Sequence, residues 1–298
     1  MESVTLRQLE IFVYIAQFEN MTAASKKLFL TQSAVSMSLK ELEKTLGGSV
    51  FHRVGRGLIL NDRGRALLPK AKNILASVKD LVDMAHNTEK ALMGELMIGC
   101  STTIGNYFFP TRLKLFCDEH PQVRITLNVG NTREIAKLVR EGILDIGLVE
   151  GIVEERDLDE KEWVKDVLVV IASPEHPFAC RSMVPMAEMI EEQWVLRERG
   201  SGTLSSFEAL LASKNLRFPY VQEIGHTEAI KRVVEAGMGM SCLSRLAVEQ
   251  ELREGSLVEI PTDIEISRWF RIISLPEEHR SRLFNYMMKW LFSFASVK

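Results

Sequence analysis

The chain has 298 residues, a formal net charge of −3, 46 % hydrophobic residues and four cysteines. Length and apolar content fit more than one domain with true cores. There is no basic-then-apolar leader and no run of 18 apolar residues, so a soluble, cytoplasmic chain is expected rather than a secreted or membrane-spanning one.

Cys100, Cys117, Cys180 and Cys242 stand far apart without CxxC spacing, which points to reduced thiols and away from a metal cluster. The charge is unevenly placed. Residues 1–72 hold 11 Lys and Arg against 6 Asp and Glu, a surplus of +5 that leaves −8 on the remainder. A basic head on an acidic body suits a head that binds a polyanion.

In chain order, "LRQLEIFVYIAQF" spaces Leu6, Leu9, Phe12, Val13 and Ala16 three or four apart, the buried stripe of a first helix. Thr22 is placed to cap a second helix over "AASKKLF", and Thr31 a third. In the third, Val35, Leu39, Leu42 and Leu46 form one stripe, and Gly47 stops it. Ser33, Met37, Lys40 and Lys44 fall opposite. Two helices joined by a tight turn, the second with a small polar outer face, make a helix-turn-helix.

The outer face suits a major groove. Gln32 can bond an adenine edge through two atoms, Ser33 and Ser36 can serve several bases, and Met37 can pack on a thymine methyl. Thr31 stands at the same helix start, and Lys40 and Lys44 reach phosphates further along. "VFHRVGRGLILN" then reads as a hairpin wing around Gly55, Arg56 and Gly57, carrying Arg53 and Arg56.

A long helix follows over "DRGRALLPKAKNILASVKDLVDMAHNTEK". Leu67, Ala71, Ile74, Val78, Leu81 and Ala85 step 4, 3, 4, 3, 4 along it, a seam for pairing with a second helix and so for a dimer. Pro69 is tolerated if the helix starts near Leu68; otherwise it kinks the helix.

Beyond residue 90 the pattern changes. "GELMIGCS", "VRITLNVG" and "LDIGLVEG" are short β-rich runs separated by helical stretches, which argues for a parallel sheet covered by helices. A second set begins near "WVKDVLVVIAS", and the closing "RWFRIISLPEEHRSRLFNYMMKWLFSFA" matches the first. The expected result is two α/β lobes joined by crossings near residues 164 and 267.

Ligands in such folds lie beyond the carboxyl ends of the strands, at helix N-termini. The loops there are Ser101-Thr102-Thr103, Gly130-Asn131-Thr132, Glu150-Gly151, Gly200-Ser201-Gly202-Thr203 and Gly225-His226-Thr227. Their hydroxyls and free amides suit a small oxyanion, although Ser, Thr and Asn also cap helices everywhere. Glu150 would repel a dianion unless Arg197, Arg199 or protonation offset it.

An enzyme is not expected. "GSGT" lacks the lysine and spacing of a phosphate loop, there is no GxSxG elbow, and nothing orients His226 as a base for Ser201. No cofactor or metal is implied. A ligand-binding protein without DNA binding would leave the basic head and the hairpin arginines unexplained.

Residues 1–65, through "LRQLEIF", "AASKKLFLTQSAVS", "LEKTLGGSVFHR" and "GRGLILNDRGR", resemble the winged helix-turn-helix of the LysR-type transcriptional regulators, and the resemblance runs over the whole chain. It implies a helical winged head over 1–60 and a linker helix over 61–90. The body would be an α/β, periplasmic-binding-protein-like effector domain, with lobe I from 91–164 and 268–298 and lobe II from 165–267. It further implies binding to double-stranded DNA by a dimer, and by a dimer of dimers.

"STTIGNYFFP", "VGNT", "DIGLVEG", "LRERGSGT" and "GMGMSCLSR" resemble the subgroup that controls sulfur and sulfite metabolism, with carbon-fixation regulators as near relatives. Sulfite or a related oxyanion is the implied effector, held by Ser101, Thr102, Thr103, Asn131, Thr132, Glu150, Arg199, Ser201, Thr203 and His226. An organic acid or a phosphorylated metabolite is the alternative.

Overall fold

The computed structural model describes residues 3–54, 57–85, 92–219, 221–276 and 280–294. The head begins with α1 (Leu6–Phe18), opened by a reciprocal cap between Thr5 and Gln8. Next come α2 (Met21–Lys27) and α3 (Gln32–Thr45). Thr31 caps α3 by accepting from the Ala34 N–H, as expected. Thr22 does not cap α2. Asn20 does, accepting from the N–H groups of Thr22 and Ala23, because α2 already begins at Met21 and the extended backbone of Asn20 sets its carboxamide oxygen over both orphan donors.

The hairpin β1 (Phe51–Val54) and β2 (Gly57–Leu60) closes the head. Its Phe51, Leu58 and Leu60 pack with Phe12, Ile15, Val35, Leu39 and Leu42 in one core. The Phe12 and Phe51 rings meet edge to face at 5.6 Å.

The linker helix α4 (Asp62–Ala85) starts six residues earlier than Leu68, where the Asn61 side chain accepts from the Gly64 N–H. Pro69 therefore lies inside the helix, and the Arg65 carbonyl lacks its usual intrahelical partner. The seam divides. Leu67 and Ala71 pack into the head core, while Ile74 and Leu81 are 47 % and 67 % exposed. Arg56 and the Ala85 side chain lie outside the described residues.

The body follows as β3 (Gly94–Ser101), a π-turn (Ile104–Phe108) leading into α5 (Phe109–Glu119), β4 (Val123–Gly130), α6 (Thr132–Arg140) and β5 (Ile146–Glu150). The long strand β6 (Asp159–Ala172) leaves lobe I for lobe II. Lobe II holds α7 (Met186–Met189), β7 (Trp194–Leu196), α8 (Gly202–Ser213), β8 (Val221–Glu223), α9 (Thr227–Glu235), β9 (Ser241–Ser244), α10 (Arg245–Glu254) and β10 (Val258–Glu259). Then β11 (Ile266–Ser274) returns to lobe I, and α11 (Arg282–Ser293) packs there.

The sheet is mixed, not purely parallel. β3 pairs parallel with β4 and β5, but β6 and β11 run antiparallel to each other from Ile266↔Leu168 to Ser274↔Asp159. At one end β11 pairs with β5, and at the other β6 pairs with β9 and β10. The two strands are thus shared by both lobes. Among the described residues no helix is long and apolar enough to cross a membrane.

The cap assignment is testable. Asn20→Ala should cost about 1 kcal/mol, and Thr22→Ala much less. Hydrogen exchange of the α2 amides under mild urea reads both; equal losses would contradict the cap.

Candidate nucleic-acid interface and effector cleft

On α3, Val35, Leu39 and Leu42 are buried, while Gln32, Ser33, Met37, Lys40 and Lys44 are exposed and Ser36 is half-buried. The Thr31 and Ser33 hydroxyls lie 3.0 Å apart. Met37 is 65 % exposed, an apolar group in water on a face otherwise built for hydrogen bonding. Arg53 is exposed on β1.

Phe29, in the turn between α2 and α3, escaped the sequence reading. It is 95 % exposed and holds φ at 55°, a strained value for a residue with a Cβ. In the sequence, the Phe29-Leu30 step between the second and third helices marks only that a turn is present.

The second site lies where the lobes meet, and Arg268 organises it. Arg268 is buried, the cross-strand partner of Asp166. Its Nε donates to Asp166 Oδ2 at 2.8 Å and its Nη1 to Thr203 Oγ1 at 2.8 Å, while Nη2 donates to Thr103 Oγ1 at 3.3 Å. Glu150 Oε2 stands 3.0 Å from Nη2, off the direction of its hydrogens, so the contact is an ion pair without a hydrogen bond. Thr203 Oγ1 donates to Glu150 Oε1 at 3.2 Å, and Ser244 Oγ to Asp166 Oδ1 at 2.7 Å. Arg268 therefore offsets Glu150, not Arg197 or Arg199.

One guanidinium faces two carboxylates here. Burial, with the Glu150 charge adding to it, raises the Asp166 pKa above the ordinary carboxylate value, despite the opposing pull of Arg268.

Arg197, also buried, bridges the lobes beside this cluster. Its Nη2 donates to Thr102 Oγ1 at 3.3 Å and its Nη1 to Thr227 Oγ1 at 3.1 Å, while Glu198 takes Nε and Nη2. Thr102 donates in turn to the Gly130 carbonyl. Tyr107, on the π-turn, donates to Glu228 of α9 across the cleft. π-turns recur at functional sites because the extra residue re-aims a side chain.

The remaining candidates divide. Thr132 Oγ1 donates to the Glu150 carbonyl at 2.8 Å, and Asn131 and Ser201 are engaged in capping α6 and α8. Gly202 touches Glu150 so closely that a Cβ there would lie 1.8 Å from the Glu150 carbonyl oxygen. Ser101 is fully buried and its hydroxyl has no partner. Arg199 and His226 are exposed and do not join the cluster; the Arg199 N–H donates to Glu223 at 3.4 Å, and His226 begins α9 without a side-chain cap. Among the described residues no group of three or more His, Cys, Asp or Glu could hold a metal.

Two family models match the chain. The bacterial regulatory helix-turn-helix protein of the lysR family matches residues 6–65, and the LysR substrate binding domain matches residues 89–295. The chain is a LysR-type transcriptional regulator. It is a regulator rather than an enzyme, and it belongs to a family that binds DNA and small effectors.

It is 36 % identical to the uncharacterized HTH-type regulator YeiE of Escherichia coli K12, over 97 % of this chain and 96 % of that one. A full-length OxyR variant from Pseudomonas aeruginosa superposes with a TM-score of 0.80 at 21 % identity, covering 99 % of this chain and 95 % of that one. The regulatory domain of CcmR from Synechocystis, in complex with 2-PG, superposes at 0.63 with 29 % identity, covering 68 % of this regulator and 98 % of that domain.

Because the pKa of Asp166 is raised on folding, its contribution to stability is present below the unfolded carboxylate range and is lost as pH rises through the folded value. The stability of the wild type relative to Asp166→Asn should therefore fall as pH rises from 3 to 7. Chemical unfolding of both chains across that range measures the difference, and a difference that grows with pH would reverse the assignment.

Proposed function

We propose that this regulator reads double-stranded DNA with α3 and the wing, as a cytoplasmic dimer paired along α4 that assembles into a dimer of dimers. In this reading 1–60 is the DNA-binding domain, 61–90 the linker, 91–164 with 268–298 lobe I and 165–267 lobe II. Gln32, Ser33, Ser36 and Met37 meet base edges, with Thr31 at the helix start. Lys40, Lys44, Arg53 and Arg56 meet phosphates. The exposed Ile74, Leu81 and Val82 support pairing along α4, since apolar side chains left exposed together along one helix form a stripe that a second helix would cover.

The effector in this proposal is a small oxyanion, sulfite or a related sulfur oxyanion, bound between the lobes. The observation that carries it is the Ser101 hydroxyl, fully buried without a partner beside the N-terminal turn of Thr102 and Thr103. A buried hydroxyl left unpaired costs about 1–3 kcal/mol, which a ligand oxygen would recover. The first turns after Ser101, Ser201 and His226 come from both lobes, and their N–H groups favour negative charge. Arg268 pairs with Glu150 and offsets part of the charge that the carboxylate would present to an anion. Binding between lobes favours one lobe arrangement and shifts the population that engages DNA.

The 2-PG bound to CcmR supports a second reading, a phosphorylated organic acid in the same cleft. Thermal shift of the full chain separates the two. A panel of sulfite, sulfate, thiosulfate, phosphate, 2-PG and plain organic acids is held at constant ionic strength. A true ligand at about 100 times its Kd adds roughly 2.7 kcal/mol. Ser101→Ala should keep the stability of the free protein and lose that response. A response to sulfite selects the first reading, a response to 2-PG alone selects the second, and silence from every anion removes both.

On DNA, Gln32→Ala should cost roughly 1–3 kcal/mol on a selected site and little on random duplex. Arg53→Ala should weaken both and flatten the salt slope by about one. Fluorescence anisotropy at several salt concentrations reads the two effects, and equal losses for Gln32→Ala on both duplexes would remove it from base reading.

A further inference from the structure

The head does not hang from α4 alone; it is fastened to lobe I of its own chain. Lys72 of α4 donates to the Ile143 carbonyl at 3.1 Å and to Asp145 Oδ1 at 3.2 Å. One turn earlier, Pro69 packs on Gly142, where φ is +68° and a Cβ would stand 2.8 Å from the proline ring. Ile143 packs against the head core. Gln17 Nε2 of α1 reaches Met97 Sδ at 3.6 Å, and Lys27 lies 3.8 Å from Glu95. Between head, α4 and lobe I a cavity of about 750 Å³ remains. The contact is therefore a few fixed points around open space, an arrangement with room for the head to shift.

What these points hold is specific. Asp145 Oδ2 accepts from the Met97 N–H at 2.8 Å, and the Asp145 N–H donates to the Met97 carbonyl at 2.8 Å. The same carboxylate thus ties β3 to the start of β5 and both to Lys72. Those two strands run from here to the cleft, where β3 ends at Ser101 and β5 at Glu150. At about 3.3 Å per residue, the five steps from Asp145 to Glu150 span roughly 17 Å. They lie adjacent and parallel in the centre of the sheet, flanked by β4 and β11, and so move as one body.

We infer that Lys72, Asp145 and the Ile143 carbonyl form a clamp through which β3 and β5 carry lobe movement from the cleft to the DNA-binding head of the same chain. When the loops at Ser101–Thr103 and Glu150 shift, the opposite strand ends shift with them, and the clamp passes that displacement to α4 and α1. The route is a contiguous set of bonds with two ends, and it supplements whatever passes between protomers. Linkage makes it reciprocal, so DNA on the head must be felt in the cleft.

Reciprocity allows a test that needs no effector. The probe is a random-sequence DNA duplex at low salt, and the readout is amide hydrogen exchange in the full-length protein with and without it. In the wild type, duplex binding should change exchange at residues 101–103 and 149–151 by roughly fivefold, the lower end of ordinary coupling. Lys72→Met keeps the stem and removes the ammonium; it should bind the duplex with similar affinity and lose that response. Lys72→Arg should retain it. A response that persists undiminished in Lys72→Met overturns the clamp, as does a wild type whose cleft does not register bound duplex.

Discussion

Everything in the body depends on how one buried guanidinium is shared. Arg268 sits on the strand that returns from lobe II to lobe I, and its donors reach Thr103 on one side, Thr203 on the other and Asp166 on its antiparallel partner. The ion pair with Glu150 completes the set. Removing water from such a cluster is expensive, and it is repaid only when each charge keeps its partners. The lobes are consequently coupled through polar groups whose geometry must be right or costly. An arrangement of that kind prefers discrete states over gradual deformation, which is what a switch between lobe positions requires.

The head was largely legible from the sequence. The stripe of Val35, Leu39 and Leu42 and the Thr31 cap are local signals, separated by three or four residues and set by helix geometry alone. Local competition was harder to read. Asn20 and Thr22 are both good caps two residues apart, and the backbone takes the one that satisfies two donors. Pro69 left two readings open, a helix starting near Leu68 or a proline inside the helix, and here the helix accepts it in its third turn against a glycine of the body.

The cleft was legible in outline only. Its small hydroxyl loops follow strand ends and could be located. The charges that organise them could not be paired, since Asp166 and Arg268 are 102 residues apart. The signal that was there is one of phase. In β11, Ile266, Arg268 and Phe270 alternate with Ser267 and Trp269, so the period-2 pattern places an arginine at a core position. Asp166 stands in the same relation to Leu168 on β6. A charge in phase with the core asks for a partner, even when its identity needs the fold.

The near-contact of Gly202 with the Glu150 backbone has a mechanical meaning. The lobes meet there main chain to main chain, with no compressible side chain between them. Such a contact is an end stop: closer approach of the lobes at this point meets the hard repulsion of two backbones, while the hydrogen bonds around it are ones that water can replace. At this point the spacing between the lobes can widen but not narrow, so a group larger than the present gap would be accommodated only by opening.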